Sequence, residues 1–217
     1  MVRKTNRKPR KGAGGGDGDA IARQIITAAL GLSASQGWRV LSLAAIAEEA
    51  GVCLAELHQA FASKTAILAG FLGTIDAQVL AAGKGDADED PRDRLFDVLM
   101  RRFDALNPHK AALDAILPET LFDPAAAPVL APRLICSMAW MLEAAGLSSA
   151  GLGGRLRANG LALVYLNALR VWLGDDSPDM GKTMAALDNG LRRAEWLARL
   201  CCPGPGRGET ASADASG

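Results

Sequence analysis

The sequence predicts an all-α protein of about nine helices. Ala and Leu dominate a chain that is 49% apolar, while Phe, Trp and Tyr together make up 5%, a mix that favours helices over sheets. Apolar residues recur at three- and four-residue spacing through most of the 217 positions, as one buried helix face requires. Gly, Pro and Asp interrupt that pattern where helices must end. The length is enough to bury a real core.

Ile21, Ile25, Ala28, Ala29 and Leu32 mark a first helix that stops near Gln36 and Gly37, the glycine suiting a C′ position. Ser42 is placed to cap a short helix from Leu43 to Ala50, with Leu43, Ile46 and Ala47 inward and Glu48 and Glu49 outward. Gly51 breaks it, and Leu54 to Ala60 forms another short helix. Ser63 caps a fourth, which carries Ile67, Leu68, Phe71, Leu72 and Ile75. The Gly/Asp-rich run from Gly83 to Pro91 is the domain boundary. Beyond it the pattern gives helices over roughly 92–106, 109–117, 126–145, 154–173 and 178–200, with breaks at Asn107-Pro108, Pro118, Pro124, the Gly151–Gly154 cluster and Asp175 to Pro178. Helix 154–173 is apolar on nearly all sides, so it must be buried in the body or against a partner subunit.

The formal net charge is zero, but it is unevenly distributed. Residues 1–18 carry Arg3, Lys4, Arg7, Lys8, Arg10 and Lys11 against Asp17, so the rest of the chain is net negative. A basic tail on an acidic body suggests an arm for nucleic acid or another anionic surface, or simply a solvated disordered end. Residues 1–18 and 203–217 both read as disordered tails, poor in apolar groups. Cys53, Cys136, Cys201 and Cys202 show no CxxC spacing and read as reduced. No apolar segment follows the basic run, and no window of about 18 apolar residues lacks charge. A cytoplasmic protein without a transmembrane segment is therefore expected.

One motif is specific. Gly37-Trp38, then Leu41-Ser42-Leu43-Ala44-Ala45-Ile46-Ala47-Glu48-Glu49-Ala50-Gly51-Val52, then Leu57 and Phe61-Ala62-Ser63-Lys64, resembles the N-terminal domain of the TetR family of transcriptional repressors over about residues 20–80. The resemblance implies a helix-turn-helix domain at 19–82 and a helical ligand-binding and dimerisation domain at 90–200. It also implies double-stranded DNA as partner, a homodimer, and control by a small apolar ligand. Carried over by position, the groove-facing residues are Cys53, Leu54, Ala55, Glu56, His58 and Gln59, with Ser42 and Lys64 on the phosphates. This chain departs from the family in having Cys53 where a capping Ser or Thr is usual and His58 where a Tyr is usual. Between residues 19 and 64 the net charge is −1, whereas duplex binding leans on phosphate neutralisation. The arm, with Arg3, Lys4, Arg7 and Lys8, is expected to supply the missing affinity. Gln59 and His58 remain able to read base edges, and Glu56 to accept from a cytosine amino group.

The second half bears another likeness. Trp172-Leu173-Gly174-Asp175-Asp176-Ser177-Pro178-Asp179 with Thr183, alongside Tyr165 and Met138-Ala139-Trp140, is similar to the lipid-binding accessory proteins of ubiquinone biosynthesis, which share the TetR-like fold without using it on DNA. That resemblance implies a lipid or isoprenoid ligand. The same Asp-Ser-Pro-Asp run also reads as the cap of the last helix. Met138, Trp140, Met141, Tyr165 and Trp172 are the candidate lining of an apolar pocket, or members of the core. His58 and His109 lie in separate regions with no carboxylate or Cys arrangement around them. With no phosphate-cradling glycine run either, no catalytic site, metal or cofactor is expected.

Overall fold

The computed structural model describes residues 15–83, 88–121 and 123–201. Within them the chain forms α1 (Gly15–Gln36), α2 (Leu43–Ala50), α3 (Leu54–Ala60), α4 (Lys64–Ala81), α5 (Pro91–Leu106), α6 (Lys110–Leu121), α7 (Ala127–Ala144), α8 (Gly151–Leu173) and α9 (Gly181–Cys201), with a 3-10 turn at Asn107–His109. There is no strand among the described residues, and no helix of theirs is long and apolar enough to cross a membrane.

Local chemistry explains most boundaries. Gly37 donates its N–H to Ser33 at 3.0 Å and closes α1. The hydroxyls of Ser42 and Ser63 accept from the backbone N–H of Ala45 and Ala66, each at 3.1 Å, and so satisfy donors that the first turn leaves open. Asp90 does the same for Arg92 at 2.9 Å, followed by Pro91 in the first turn of α5.

Four boundaries differ from the sequence expectation. Helix α1 takes in residues 15–18, with Asp17 in its first turn where the helix dipole favours an acid, so these four are helical and not part of a disordered tail. Helix α6 runs through Pro118 to Leu121. Pro118 is exposed and lies in the last turn, where its missing N–H removes a single hydrogen bond. Helix α8 takes in the Gly151–Gly154 cluster instead of starting after it. Helix α9 starts at Gly181 because the residues before it are occupied in building its cap.

Two groups of helices share α4. Helix α1 packs on α2, α3, α4 and α6, while α8 lies between α7 and α9, and α4 also touches α5 and α7. One hydrophobic core is continuous through both groups, from Ile25, Ile46 and Leu57 through Ile67 and Phe71 to Phe103, Met138, Trp172 and Leu187. At the junction the Phe71 ring of α4 meets His109 edge-on, with 5.1 Å between ring centres.

Deep in this junction lies a polar cluster. Arg102 of α5 pairs with Asp76 of α4, the Ser137 hydroxyl of α7 donates to the same carboxylate oxygen at 2.6 Å, and Arg102 Nε donates to the Tyr165 hydroxyl of α8 at 3.2 Å. All four residues are buried. Burial opposes the charge on Arg102, but the Tyr165 and Asp76 oxygens outweigh it and hold the guanidinium more firmly protonated than usual. Four helices are thereby fixed to one another by directional bonds.

Removing one partner would strand a buried charge. Arg102→Met is expected to lower the unfolding free energy by about 3–5 kcal/mol in urea titration. The double replacement Asp76→Leu/Arg102→Met should recover most of that loss, because two matched apolar groups leave no charge behind.

Candidate nucleic-acid interface

Helices α2 and α3 meet at a tight turn. Gly51 adopts φ 66°, a left-handed conformation that costs a side chain dearly and glycine little. The Val52 N–H then reaches back to the Ala47 carbonyl at 3.0 Å. Ile46, Ala47 and Leu57 are buried beneath the turn and fix the angle between the two helices. Trp38 is buried from the α1 side. Phe61 lies so close to α4 that a Cβ on Gly70 would sit 2.6 Å from its ring, and glycine at 70 lets the helices close up.

This packing turns one face of α3 outward. Cys53, Leu54, Ala55, Glu56, His58 and Gln59 are all exposed, while Leu57 between them is buried. Leu54 and His58, like Ala55 and Gln59, stand four residues apart and share that face. The structure gives Glu56 a different task from base reading: its carboxylate accepts the Cys53 N–H at 2.8 Å. Hydrogen bonding to Cys53 keeps its pKa below the usual Glu value. Cys53 occupies the N-cap with extended backbone, and since sulfur is a poor acceptor, Glu56 carries the cap. Ser42 is exposed at the start of α2.

Lys64 is turned inward. Its ammonium donates to the carbonyls of Trp38 at 2.9 Å and Arg39 at 3.4 Å and stands 5.1 Å from the Trp38 ring centre. Burial lowers its pKa, and the charge of Glu119 on α6 partly restores it. Two of its three donors are thus spent on the α1–α2 turn, which leaves one for a phosphate. Arg3, Lys4, Arg7 and Lys8 lie outside the described residues.

A short helix pair with a left-handed glycine turn, a small apolar core and an outward second helix is a helix-turn-helix unit. Residues 25–70 match the family model for bacterial regulatory proteins of the tetR family, so this part of the chain is similar to a TetR-family N-terminal domain. The whole described fold is that of TetR transcriptional regulators. A regulator from Nitrosomonas europaea superposes with a TM-score of 0.67 at 23% identity, over 82% of this chain and 100% of the other. One from Rhodococcus sp. RHA1 gives 0.64 at 19%, over 82% and 97%. Thermus thermophilus FadR, a TetR-family repressor solved with lauroyl-CoA, gives 0.50 at 21%, over 89% and 100%. No curated protein matches the chain.

The candidate pocket residues separate into two sets. Met138, Met141, Tyr165 and Trp172 are all buried in the core. Phe103 links two of them, its ring centre 5.3 Å from that of Tyr165 and 6.0 Å from that of Trp172. Trp140 does not join them: it is 54% exposed on the outer side of α7, because the helical turn that points Met138 and Met141 inward points residue 140 away. A cleft of about 470 Å3 between α1 and α2 is lined by Ala20, Arg23, Gln24, Thr27, Glu49 and Ala50. Another of about 330 Å3 between α4 and α5 is lined by Gln78, Val79, Ala82, Arg101, Asp104 and Ala105. None of the five candidates lines either cleft.

The Asp-rich run before α9 forms a cap. Asp175 is buried and accepts from the Ser177 hydroxyl and N–H, and from the Thr183 N–H at 2.9 Å and hydroxyl at 2.8 Å. The Ser177 hydroxyl in turn accepts from the Gly181 N–H at 3.2 Å. Lys110 holds the outside, donating to the Asp175 carbonyl at 2.6 Å and standing 5.6 Å from the Trp172 ring centre. These bonds, the Ser177 hydroxyl first, outweigh burial and keep the Asp175 carboxyl far below the ordinary range.

A depressed native pKa adds stability at neutral pH that is lost as the pH falls through the carboxylate range. Asp175→Asn is therefore expected to unfold more easily than the parent at pH 7. Its stability should decline less steeply below about pH 4. Urea titrations at both pH values would show the two curves converging.

Proposed function

We propose that this protein is a DNA-binding transcriptional regulator of the TetR type, a cytoplasmic repressor that holds its operator as a homodimer and is released by a small apolar or lipid-like ligand. The outward face of α3, on a unit that matches the family model, is the observation that carries the reading. Affinity is divided between parts. The basic arm neutralises phosphates without regard to sequence, and the outward face of α3 reads the groove.

The second copy is accommodated by α8 and α9. Leu156 and Leu163 are 67% and 71% exposed on α8, and Leu152, Trp196 and Leu197 are exposed as well. A Cβ on Gly153 or Gly160 would meet nothing within 4 Å, so both mark open surface where another helix can approach closely. Two copies joined here would place two α3 helices on one duplex, as a two-fold operator requires.

Ligand control is assigned to the core around Met138, Met141, Tyr165 and Trp172. The Trp172 Nε1 is buried with no acceptor, an expensive condition that a ligand carbonyl or carboxylate would relieve. Methionines yield readily to such a guest, and the lauroyl-CoA held by Thermus thermophilus FadR supports an acyl compound. Helix α4, packed on both groups of helices, is the route by which opening that core alters the spacing of the two DNA-binding units.

A titration of the full-length protein against its own upstream DNA and a scrambled duplex tests the reading. Preference for its own DNA at physiological salt is expected, and equal binding that vanishes with salt would overturn it. Serine at Arg3, Lys4, Arg7, Lys8, Arg10 and Lys11 should weaken both complexes and reduce the slope of log K against log salt by up to about 5 per subunit. Leu156→Glu/Leu163→Glu should give a monomer by light scattering and lose operator binding with it.

A further inference from the structure

We infer that α3 reads thymine methyl groups, with Leu54 as the residue that sets this preference, so that each operator half-site presents an A·T pair to the start of the helix. The inference rests on the regulator reading above and goes beyond it by naming the chemistry of the base contact.

The outward face of α3 has little else to offer. Its carboxylate, Glu56, is tied to the Cys53 N–H. The face contains no Lys or Arg from residue 53 to residue 60, which removes the usual bidentate partner of guanine. What remains outward is Leu54 and Ala55, followed one turn later by His58 and Gln59. Leu54 is 55% exposed at the first position of the helix, while Leu57, in the same helix, is buried. Solitary exposed leucines are ordinary, but this one sits at the N-terminal end of a recognition helix, the part that meets base edges.

An apolar probe has one matching target in the major groove. Of the groups displayed there, acceptors and amino donors belong to all four base pairs, whereas the C5 methyl of thymine is the apolar one. Leu54 and Ala55 can gain by covering it and lose by covering anything polar. Gln59, one turn further along, suits the N6 and N7 of adenine, so one of the two polar residues of the face, Gln59 beside His58, favours the same kind of base pair as the apolar ones. Contact with the methyl should be worth about four-fold in affinity for each one covered, the value of one buried methylene.

The experiment is a selection of duplexes from a random library with the full-length protein, followed by resynthesis of the selected duplexes with deoxyuridine in place of thymidine. That exchange removes the methyl and leaves base pairing unchanged. The parent protein should bind the deoxyuridine duplex about four-fold more weakly per contacted methyl, and Leu54→Ala should lose most of that difference. Selected sites that bind equally well with and without the methyl would overturn the inference while leaving the regulator reading intact. The same methyl penalty in parent and Leu54→Ala would overturn the role of Leu54. A selection that enriches no sequence would bring down the regulator reading and this inference together.

Discussion

The buried ion pair between Asp76 and Arg102 is the constraint around which the two halves of the molecule are organised. Apolar packing is tolerant of sliding, whereas a carboxylate and a guanidinium in a dry interior must meet in one geometry or each bear the cost of desolvation. Ser137 and Tyr165 complete the arrangement from α7 and α8. Since Asp76 belongs to α4, the helix that also carries Ile67, Leu68 and Phe71 into the N-terminal core, the C-terminal half of α4 is pinned. Its N-terminal half, which starts at Lys64, remains the part whose position other elements can influence.

Helix α6 is in a position to exert that influence. It packs against α1, its Glu119 acts electrostatically on Lys64, and the turn before it places His109 on Phe71. Lys64 itself holds the Trp38 and Arg39 carbonyls, so the junction between α1 and α2 and the beginning of α4 form one polar unit. A charge on α6 and a ring in the turn before it therefore reach the N-terminal half of α4.

The electrostatic design of the helix-turn-helix unit is spare. Its acids Glu48 and Glu49 are outward on α2, and Glu56 serves as a cap, so the unit contributes shape and a few uncharged contacts. In the proposed reading, long-range attraction to DNA comes from elsewhere in the chain, from the six cations near the N-terminus. Such a division separates affinity, which salt weakens, from selectivity, which depends on close apolar and hydrogen-bonded contact.

How much of this was legible in the sequence follows from the range of the forces involved. Helices α2 and α3 were predicted to the residue, because Ser42, Gly51 and Ser63 act on their own neighbours and the apolar spacing is local. The positions carried over as groove-facing were legible as a set and are exposed on the short helix α3. The task of Glu56 was not, although Glu three residues after an N-cap is a capping-box signal. Arg102 and Asp76 each interrupt an apolar stripe, on α5 with Val98, Leu99 and Phe103 and on α4 with Ile75 and Val79. The stripes hinted at burial, but nothing in the chain says that two residues so far apart are partners. Composition and periodicity by themselves determined the fold class, the number of helices and the turn chemistry. Tertiary structure decided that Lys64 faces inward onto the Trp38 and Arg39 carbonyls and that Asp76 and Arg102 meet. In each case the outcome depends on which distant surface arrives beside the side chain, and local sequence does not encode that.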